Sequence, residues 1–178
     1  GIGGVPQNIP GGEIYQALPS EGVGIVNADS NYLPLWMDFL QRRRVISFGR
    51  SISADVRASD VCNNGALGCS FTLHCGDDTS AVNLSLPGEH NIDNALAACA
   101  AALAVGAGLA DLVAGLESVA PVAGRLHAAE NSRGTLVVDD SYNANPGSVK
   151  AAIDVLVATP GRHIFMFGEM GELGPDSE

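Results

Sequence analysis

The chain has 178 residues, which is enough for one large domain or for one and a half domains of ordinary size. Apolar residues make up 46% of it, which allows a substantial core, and its formal net charge is −11. This acidic balance argues against a nucleic-acid binder, which would show a basic face, but it leaves room for a nucleotide held by local N–H groups.

The four cysteines are typical of a protein with reduced thiols. They lie at positions 62, 69, 75 and 99, without a Cys-x-x-Cys pair and without a histidine at zinc-ligand spacing. We therefore expect a cytoplasmic location and no metal ligands in this chain. The most apolar run, residues 95–110, is shorter than the roughly 20 residues that cross a bilayer, so we expect no membrane insertion.

The first half of the chain predicts helices and strands in alternation. Glycines and prolines make residues 1–12 loop-like. The elements predicted next are a short helix (Glu13–Leu18), a strand (Gly22–Asn27), an amphipathic helix (Tyr32–Gln41) and a second strand (Arg44–Phe48).

Three segments that alternate polar and apolar residues follow: Asp55–Val61, Cys69–Cys75 and Ala81–Leu86. This alternation predicts half-exposed antiparallel strands. Asn63-Asn64-Gly65 and Gly76-Asp77-Asp78 are turn signals between them.

A predicted helix from about Asn91 to Val105 carries two asparagines in its first turn. Asn91 and Asn94 are three residues apart and therefore share one helix face. A carboxamide presents a donor beside an acceptor, which matches the N6/N7 edge of adenine. The alternative is that one asparagine caps the helix and the other is a surface residue.

A second helix, about Leu109 to Val119, is followed by the small residues of Ala120–Gly124. This Pro- and Gly-bearing stretch is the predicted domain boundary. It separates residues 1–123 from residues 124–178.

The last third of the chain predicts a β-α-β pattern. After a strand at about Leu126–Ala129, the apolar run Thr135–Val138 predicts a strand buried on both faces, as in a parallel sheet. Asn145 is the predicted cap of a helix that opens at Pro146, and His163–Phe167 is a further predicted strand.

The strand at 135–138 runs into Asp139-Asp140-Ser141-Tyr142-Asn143. Ligands of open α/β sheets bind beyond the carboxyl ends of strands, so this turn is a candidate binding segment. A solvated strand-to-helix turn is the alternative, and these residues alone do not decide between the two.

Four motifs carry a resemblance to a known family. In chain order they are Pro87-Gly88-Glu89-His90-Asn91-Ile92-Asp93-Asn94-Ala95, Gly124-Arg125-Leu126, Asp139-Asp140-Ser141-Tyr142-Asn143-Ala144-Asn145-Pro146 and Gly168-Glu169-Met170-Gly171-Glu172-Leu173-Gly174. Together they resemble the Mur ligase family over about residues 13–178. The Asp-Asp-Ser-Tyr-Asn-Ala-Asn run is most similar to the members that join D-alanyl-D-alanine to UDP-N-acetylmuramoyl-tripeptide.

The resemblance implies an α/β fold. The first domain, residues 1–123, would be the second part of a P-loop-type central ATP-binding domain that contains antiparallel strands. Residues 124–178 would begin a Rossmann-like C-terminal ligase domain. The chain starts at Gly1 without a methionine and stops at Glu178 soon after a strand, so we expect a fragment of a longer protein. We also expect that protein to be a monomer.

The resemblance also implies ATP-dependent amide ligation through an acyl phosphate. Asn91 and Asn94 would line the adenine pocket, Asp140 would hold the ribose, and Tyr142 and Asn145 would flank the nucleotide. Arg125 would reach the nucleotide as the catalytic residue, because a guanidinium suits phosphate oxygens. The phosphate loop and the Mg²⁺ ligands of the family would lie before Gly1, so this chain alone is expected to be inactive.

Two positions depart from the family. Gly11 stands where the family has a carbamylated lysine that helps to hold a metal, and Glu89 stands where the similar members have arginine. The alternatives are therefore another amide ligase of the superfamily, such as a folylpolyglutamate synthase, and a non-catalytic nucleotide-binding module. The Tyr142–Asn145 loop disfavours the first.

Overall fold

The structure, a computed structural model, describes residues 11–170. Most of the predicted loop at 1–12 and the Gly171–Gly174 part of the last motif lie outside the described residues. The helices are α1 (Gly12–Ala17), α2 (Leu33–Leu40), α3 (His90–Ala104), α4 (Leu109–Glu117) and α5 (Pro146–Ala158). The strands are β1 (Val23–Asn27), β2 (Arg44–Gly49), β3 (Val56–Asn63), β4 (Cys69–Cys75), β5 (Asp78–Leu84), β6 (His127–Glu130) and β7 (Leu136–Asp139).

The larger sheet has the strand order β1-β2-β3-β4-β5, which confirms a mixed α/β fold. β1 pairs with β2 in parallel, with Ile25 opposite Ile46. β3 also pairs in parallel with β2, with Val56 opposite Phe48, so the prediction that this strand is antiparallel was wrong for its pairing with β2. The alternation in its sequence reports which face is buried and does not report the direction of the neighbouring strand.

The two predicted turn signals lie in connections of different length. Gly76 and Asp77 alone connect β4 to β5, and a connection of this length joins antiparallel strands. The other signal opens a longer connection that contains a 3-10 turn, Gly65–Leu67.

Packing separates two compact units within the described residues. The first unit contains residues 11–59, 73–80 and 93–112, and its core holds Val26, Leu40, Val56, Leu73 and Leu96. Cys99 belongs to the same core, as expected from its apolar surroundings, and burial raises the pKa of its thiol to about 12.

The second unit contains residues 60–72, 81–92 and 113–170 of the described chain. Ala66, Leu126 and Val155 form a buried cluster in it, which brings together the 3-10 turn, the start of the last third and α5. The Thr159 hydroxyl connects two of these segments, because it accepts from the Ala66 N–H at 3.0 Å and donates to the Val155 carbonyl at 2.8 Å. The end of α5 is thus fixed to the 65–67 turn.

The predicted β-α-β pattern at the end of the chain is not formed. β7 pairs antiparallel with β6, and Leu136 and Val137 are exposed, so the strand is not buried on both faces. Residues 163–167 lie outside the helices and strands. Among the described residues only β6 hydrogen-bonds to β7 within their two-stranded sheet, and an apolar strand is buried only where neighbours cover it.

Within residues 11–170, the helices are all too short or too polar to span a bilayer.

Gly65 provides a test of the packing between the 65–67 turn and α5. Its φ is +60°, and a Cβ there would lie 2.8 Å from the Thr159 backbone. Gly76 has nearly the same φ, +61°, but open space around the Cβ position, so it is the matched control. We expect Gly76→Ala to lower the free energy of unfolding by about 1–2 kcal/mol, the cost of a left-handed alanine.

Gly65→Ala adds a steric clash to that cost and should lower the free energy of unfolding by roughly 1–3 kcal/mol more. Urea unfolding of the two variants measures the difference. Equal losses would mean that the turn does not depend on close contact with α5.

Candidate functional site

The segment Gly124–Leu126 folds against the loop that follows β7. Gly124 is buried with φ +74°, and its carbonyl accepts from the Tyr142 N–H at 3.0 Å. A Cβ at this position would lie 3.4 Å from both the backbone nitrogen and the Cβ of Tyr142, so the two backbones approach closely. We call Gly124–Leu126 together with 140–142 the junction.

Leu126 supplies the second contact of the junction. Its φ is +49°, a left-handed conformation that costs a branched residue about 1–2 kcal/mol. Two interactions stabilise it: the side chain is buried in the cluster with Val155, and the N–H donates to Asp140 Oδ1 at 3.1 Å. Asp140 is half-buried, and the Leu126 N–H is its hydrogen-bond partner.

The side chain of Arg125 stacks on Tyr142, with its Cζ 4.2 Å from the ring centroid. Both residues are exposed, so the stacked pair lies at the surface. A cation over an aromatic face is stabilised by the ring quadrupole, by about 0.5–1 kcal/mol at an exposed site.

Asp139 and Asp140 serve different partners although they are adjacent. Asp139 Oδ1 accepts from the Ser141 N–H at 3.1 Å. Hydrogen bonds from Ser141, first from its side chain and then from its backbone, hold the pKa of Asp139 below its ordinary value. A smaller contribution in the same direction comes from the Gly124 backbone. Asp139 therefore stabilises its own turn, and Asp140 accepts from Leu126.

Asn145 caps α5, as predicted from its position before Pro146. Its side chain accepts from the Ser148 N–H at 2.9 Å, and the Ser148 hydroxyl accepts from the Asn145 N–H at 2.9 Å. This reciprocal pair satisfies two N–H groups that the first helical turn would otherwise leave without partners. A contact between Asn145 and a nucleotide stays a prediction.

Asn91 and Asn94 both lie in the first turn of α3. Asn91 is half-buried, and its Nδ2 donates to the Pro87 carbonyl at 2.7 Å, which braces the loop before the helix. Asn94 is exposed. Of the predicted site residues, Arg125, Asp140 and Tyr142 meet at the junction, whereas Asn91 donates to the loop before α3 and Asn145 caps α5.

An ion pair that the sequence analysis missed also reaches the first turn of α3. Arg50 Nε lies 2.7 Å from Asp93 Oδ1, and the Arg50 N–H donates to the Asp29 carboxylate. Asp29 also accepts from the Ser51 N–H at 3.0 Å. Arg50 and Asp93 are 43 residues apart, and no periodic pattern connects residues at that separation. The acidic residue in a first helical turn was the only local signal.

A cavity of about 370 Å³ lies beside the loop that precedes α3, in the second unit. It is lined by Asn63, Gly88, Glu89, His90, Ala151, Asp154 and Val155. Glu89 contributes a carboxylate to this lining, whereas the Asp154 carboxylate is paired with Lys150 Nζ at 2.6 Å. The departure at Glu89 therefore places an acidic side chain at the cavity beside the start of α3.

The described residues offer no evident metal centre. Within 11–170, no three side chains of His, Cys, Asp or Glu come together in a way that could hold a metal ion. Gly11 directly precedes α1 and has no side chain that could act as a ligand.

Two family descriptions match the chain. The Mur ligase middle domain matches residues 11–102, just over half of the 178 residues. The glutamate ligase domain of Mur ligases matches residues 124–178.

Individual relatives agree with these matches. The chain is 41% identical over 168 residues to the UDP-N-acetylmuramoyl-tripeptide--D-alanyl-D-alanine ligase of Escherichia coli K12, which covers 94% of this chain and 37% of that protein. A crystal structure of MurF from Acinetobacter baumannii has a TM-score of 0.83 at 36% identity, over 92% of this chain and 35% of that one.

A MurF ligase from Thermotoga maritima, crystallised in complex with ADP, shares the fold with a TM-score of 0.69 at 24% identity, over 84% of this chain and 34% of that one. The chain spans about a third of the length of these relatives. Because the middle-domain match alone covers more than half of its residues, the chain belongs to the Mur ligase family.

Proposed function

We propose that the chain is part of an ATP-dependent ligase of peptidoglycan precursor synthesis. Its substrates would be UDP-N-acetylmuramoyl-tripeptide and D-alanyl-D-alanine. The observation that carries this proposal is the 41% identity, over 94% of the chain, to the Escherichia coli enzyme named for that reaction. The ADP complex of the Thermotoga maritima relative supports ATP as the co-substrate.

In the proposed reaction, a carboxylate oxygen of the tripeptide attacks the γ-phosphorus of ATP, and ADP leaves. The dipeptide amine then attacks the carbonyl carbon of the acyl phosphate. Inorganic phosphate leaves with the bonding electrons, the amine loses a proton, and an amide bond has formed. ATP supplies the activated phosphoryl group, and Mg²⁺ would accompany its phosphates.

The residues of this chain would bind and orient the nucleotide. Arg125 is the proposed catalytic residue, because its guanidinium presents several donors to phosphate oxygens. Asp140 would accept from a ribose hydroxyl through Oδ2, since a carboxylate has two oxygens and Leu126 uses Oδ1. Asn91 and Asn94 would read the adenine edge, and Tyr142 and Asn145 would flank the nucleotide.

The proposal includes a monomeric enzyme in the cytoplasm. Free thiols at all four cysteines fit a reducing compartment. Among residues 11–170, no three His, Cys, Asp or Glu side chains are grouped so that they could hold Mg²⁺.

The decisive experiment assays the full-length gene product with ATP, Mg²⁺, UDP-N-acetylmuramoyl-tripeptide and D-alanyl-D-alanine. We expect ADP release that requires both the tripeptide and the dipeptide, with the amide product identified by mass spectrometry. Product formation only with another amino acid as acceptor would favour a different amide ligase of the superfamily. ATP binding without turnover on any acceptor would favour a nucleotide-binding module.

Adenine recognition by Asn94 is tested by Asn94→Ala in the full-length protein. We expect ATP binding to weaken by roughly 1–3 kcal/mol, the cost of leaving polar groups unpaired, and the preference for ATP over GTP to decrease. Isothermal titration with both nucleotides measures this, and Asn31→Ala, at another exposed asparagine, is the control. Unchanged affinity and preference would assign Asn94 to the surface.

Two substitutions separate the proposed ribose contact of Asp140 from its contact with Leu126. Asp140→Asn keeps an acceptor for the Leu126 N–H but removes the charge, so we expect near-normal stability with weaker ATP binding. Asp140→Ala removes both contacts. Its ATP affinity should fall about ten- to a hundredfold, the effect of losing a charge-assisted hydrogen bond.

Asp140→Ala should also lower the free energy of unfolding by about 1–3 kcal/mol, because the buried Leu126 N–H loses its partner. Titration calorimetry and urea unfolding on the same samples give both quantities. Wild-type ATP affinity in Asp140→Asn and Asp140→Ala alike would leave Asp140 with a structural role alone.

A further inference from the structure

We propose that Tyr142 is a positioning residue for Arg125: its ring holds the guanidinium in the orientation that meets the phosphates of ATP. This inference rests on the proposed function for the identity of the ligand. It goes beyond that function in assigning Tyr142 an effect on ATP binding that is exerted through Arg125.

The backbone on both sides of Arg125 is held by the loop that contains Tyr142. On one side the Gly124 carbonyl accepts from the Tyr142 N–H at 3.0 Å. On the other side the Leu126 N–H donates to Asp140 Oδ1 at 3.1 Å. The Cα of Arg125 is therefore fixed relative to the 140–142 loop, and only its long side chain retains rotational freedom.

The Tyr142 ring restricts that remaining freedom. An arginine side chain loses rotamer entropy when it is immobilised, so an arginine that is free beforehand loses this entropy on binding a phosphate. Because Arg125 Cζ already lies 4.2 Å from the Tyr142 ring centroid, part of this entropy is lost before the ligand arrives.

Stacking is compatible with phosphate binding because the two interactions use different parts of the guanidinium. The Tyr142 ring centroid lies 4.2 Å from Arg125 Cζ, whereas the five N–H donors of a guanidinium lie in its plane and point outward. A stacked Arg125 can therefore still donate two parallel hydrogen bonds to a phosphate. The exposure of both residues leaves that edge accessible to a ligand.

The size of the effect follows from the strength of the stack. An exposed cation–π contact contributes about 0.5–1 kcal/mol, which corresponds to a two- to fivefold change in an equilibrium constant. Loss of the Tyr142 ring should therefore lower kcat/KM for ATP by roughly two- to fivefold. Loss of Arg125 itself should cost more, because the phosphate then loses its donors.

The test is a double-mutant cycle in the full-length protein, with ATP affinity and kcat/KM for ATP as readouts. Tyr142→Phe keeps the aromatic face and should retain most of the wild-type values, whereas Tyr142→Leu should show the two- to fivefold loss expected from the stack. If Tyr142 acts only through Arg125, the double variant Arg125→Ala/Tyr142→Leu should equal Arg125→Ala alone.

A second measurement tests the stack without ATP or turnover. In protein labelled at arginine, the Nε–Hε and Hδ resonances of Arg125 should move downfield in Tyr142→Leu, because the shielding by the ring is lost, and should stay near their wild-type positions in Tyr142→Phe. The Tyr142 N–H bond to Gly124 is a backbone contact and persists in both variants.

Two results would overturn the proposal. Additive losses in the double variant would mean that Tyr142 contacts the nucleotide directly, and unchanged Arg125 resonances in Tyr142→Leu would mean that the stack does not form in solution. A wild-type protein that binds no ATP would overturn the proposed function instead, while the resonances would still decide whether Tyr142 holds Arg125.

Discussion

The hydrogen bond between the Leu126 N–H and Asp140 Oδ1 is the contact on which the junction depends. Leu126 is one of two residues other than glycine, within the described part of the chain, that adopt a positive φ. A left-handed leucine persists only where its surroundings compensate the strain, and here a buried side chain and a carboxylate acceptor do so together. The backbone turn that results presents Arg125 on the surface.

The same residue connects the junction to the core of the second unit. Leu126 packs with Ala66 and Val155, and the Thr159 hydroxyl fixes the end of α5 to the turn that contains Ala66. The position of Arg125 therefore depends on the packing of α5 as well as on Asp140. The Gly65–Leu67 turn therefore lies in the same packed cluster as the residue that follows Arg125.

The features that the sequence predicted well are those with a local cause. Asn145 before Pro146 is recognisable because capping involves residues three apart, and the structure has the expected reciprocal bonds with Ser148. The burial of Leu136 and Val137 was predicted wrongly, because burial depends on which elements cover a strand. Arg50 and Asp93 were missed for a related reason, since their separation of 43 residues leaves no pattern in the chain.

Asp139 and Asp140 show how one motif divides its chemistry between neighbours. Successive residues of an extended segment point in opposite directions, and the two adjacent carboxylates here accept from different N–H groups. Asp139 turns back to Ser141, and those hydrogen bonds lower its pKa. Asp140 accepts the Leu126 N–H through Oδ1, and a carboxylate has a second oxygen that can also accept. The motif therefore needs both aspartates: Asp139 to shape the turn, and Asp140 to connect that turn to the arginine it presents.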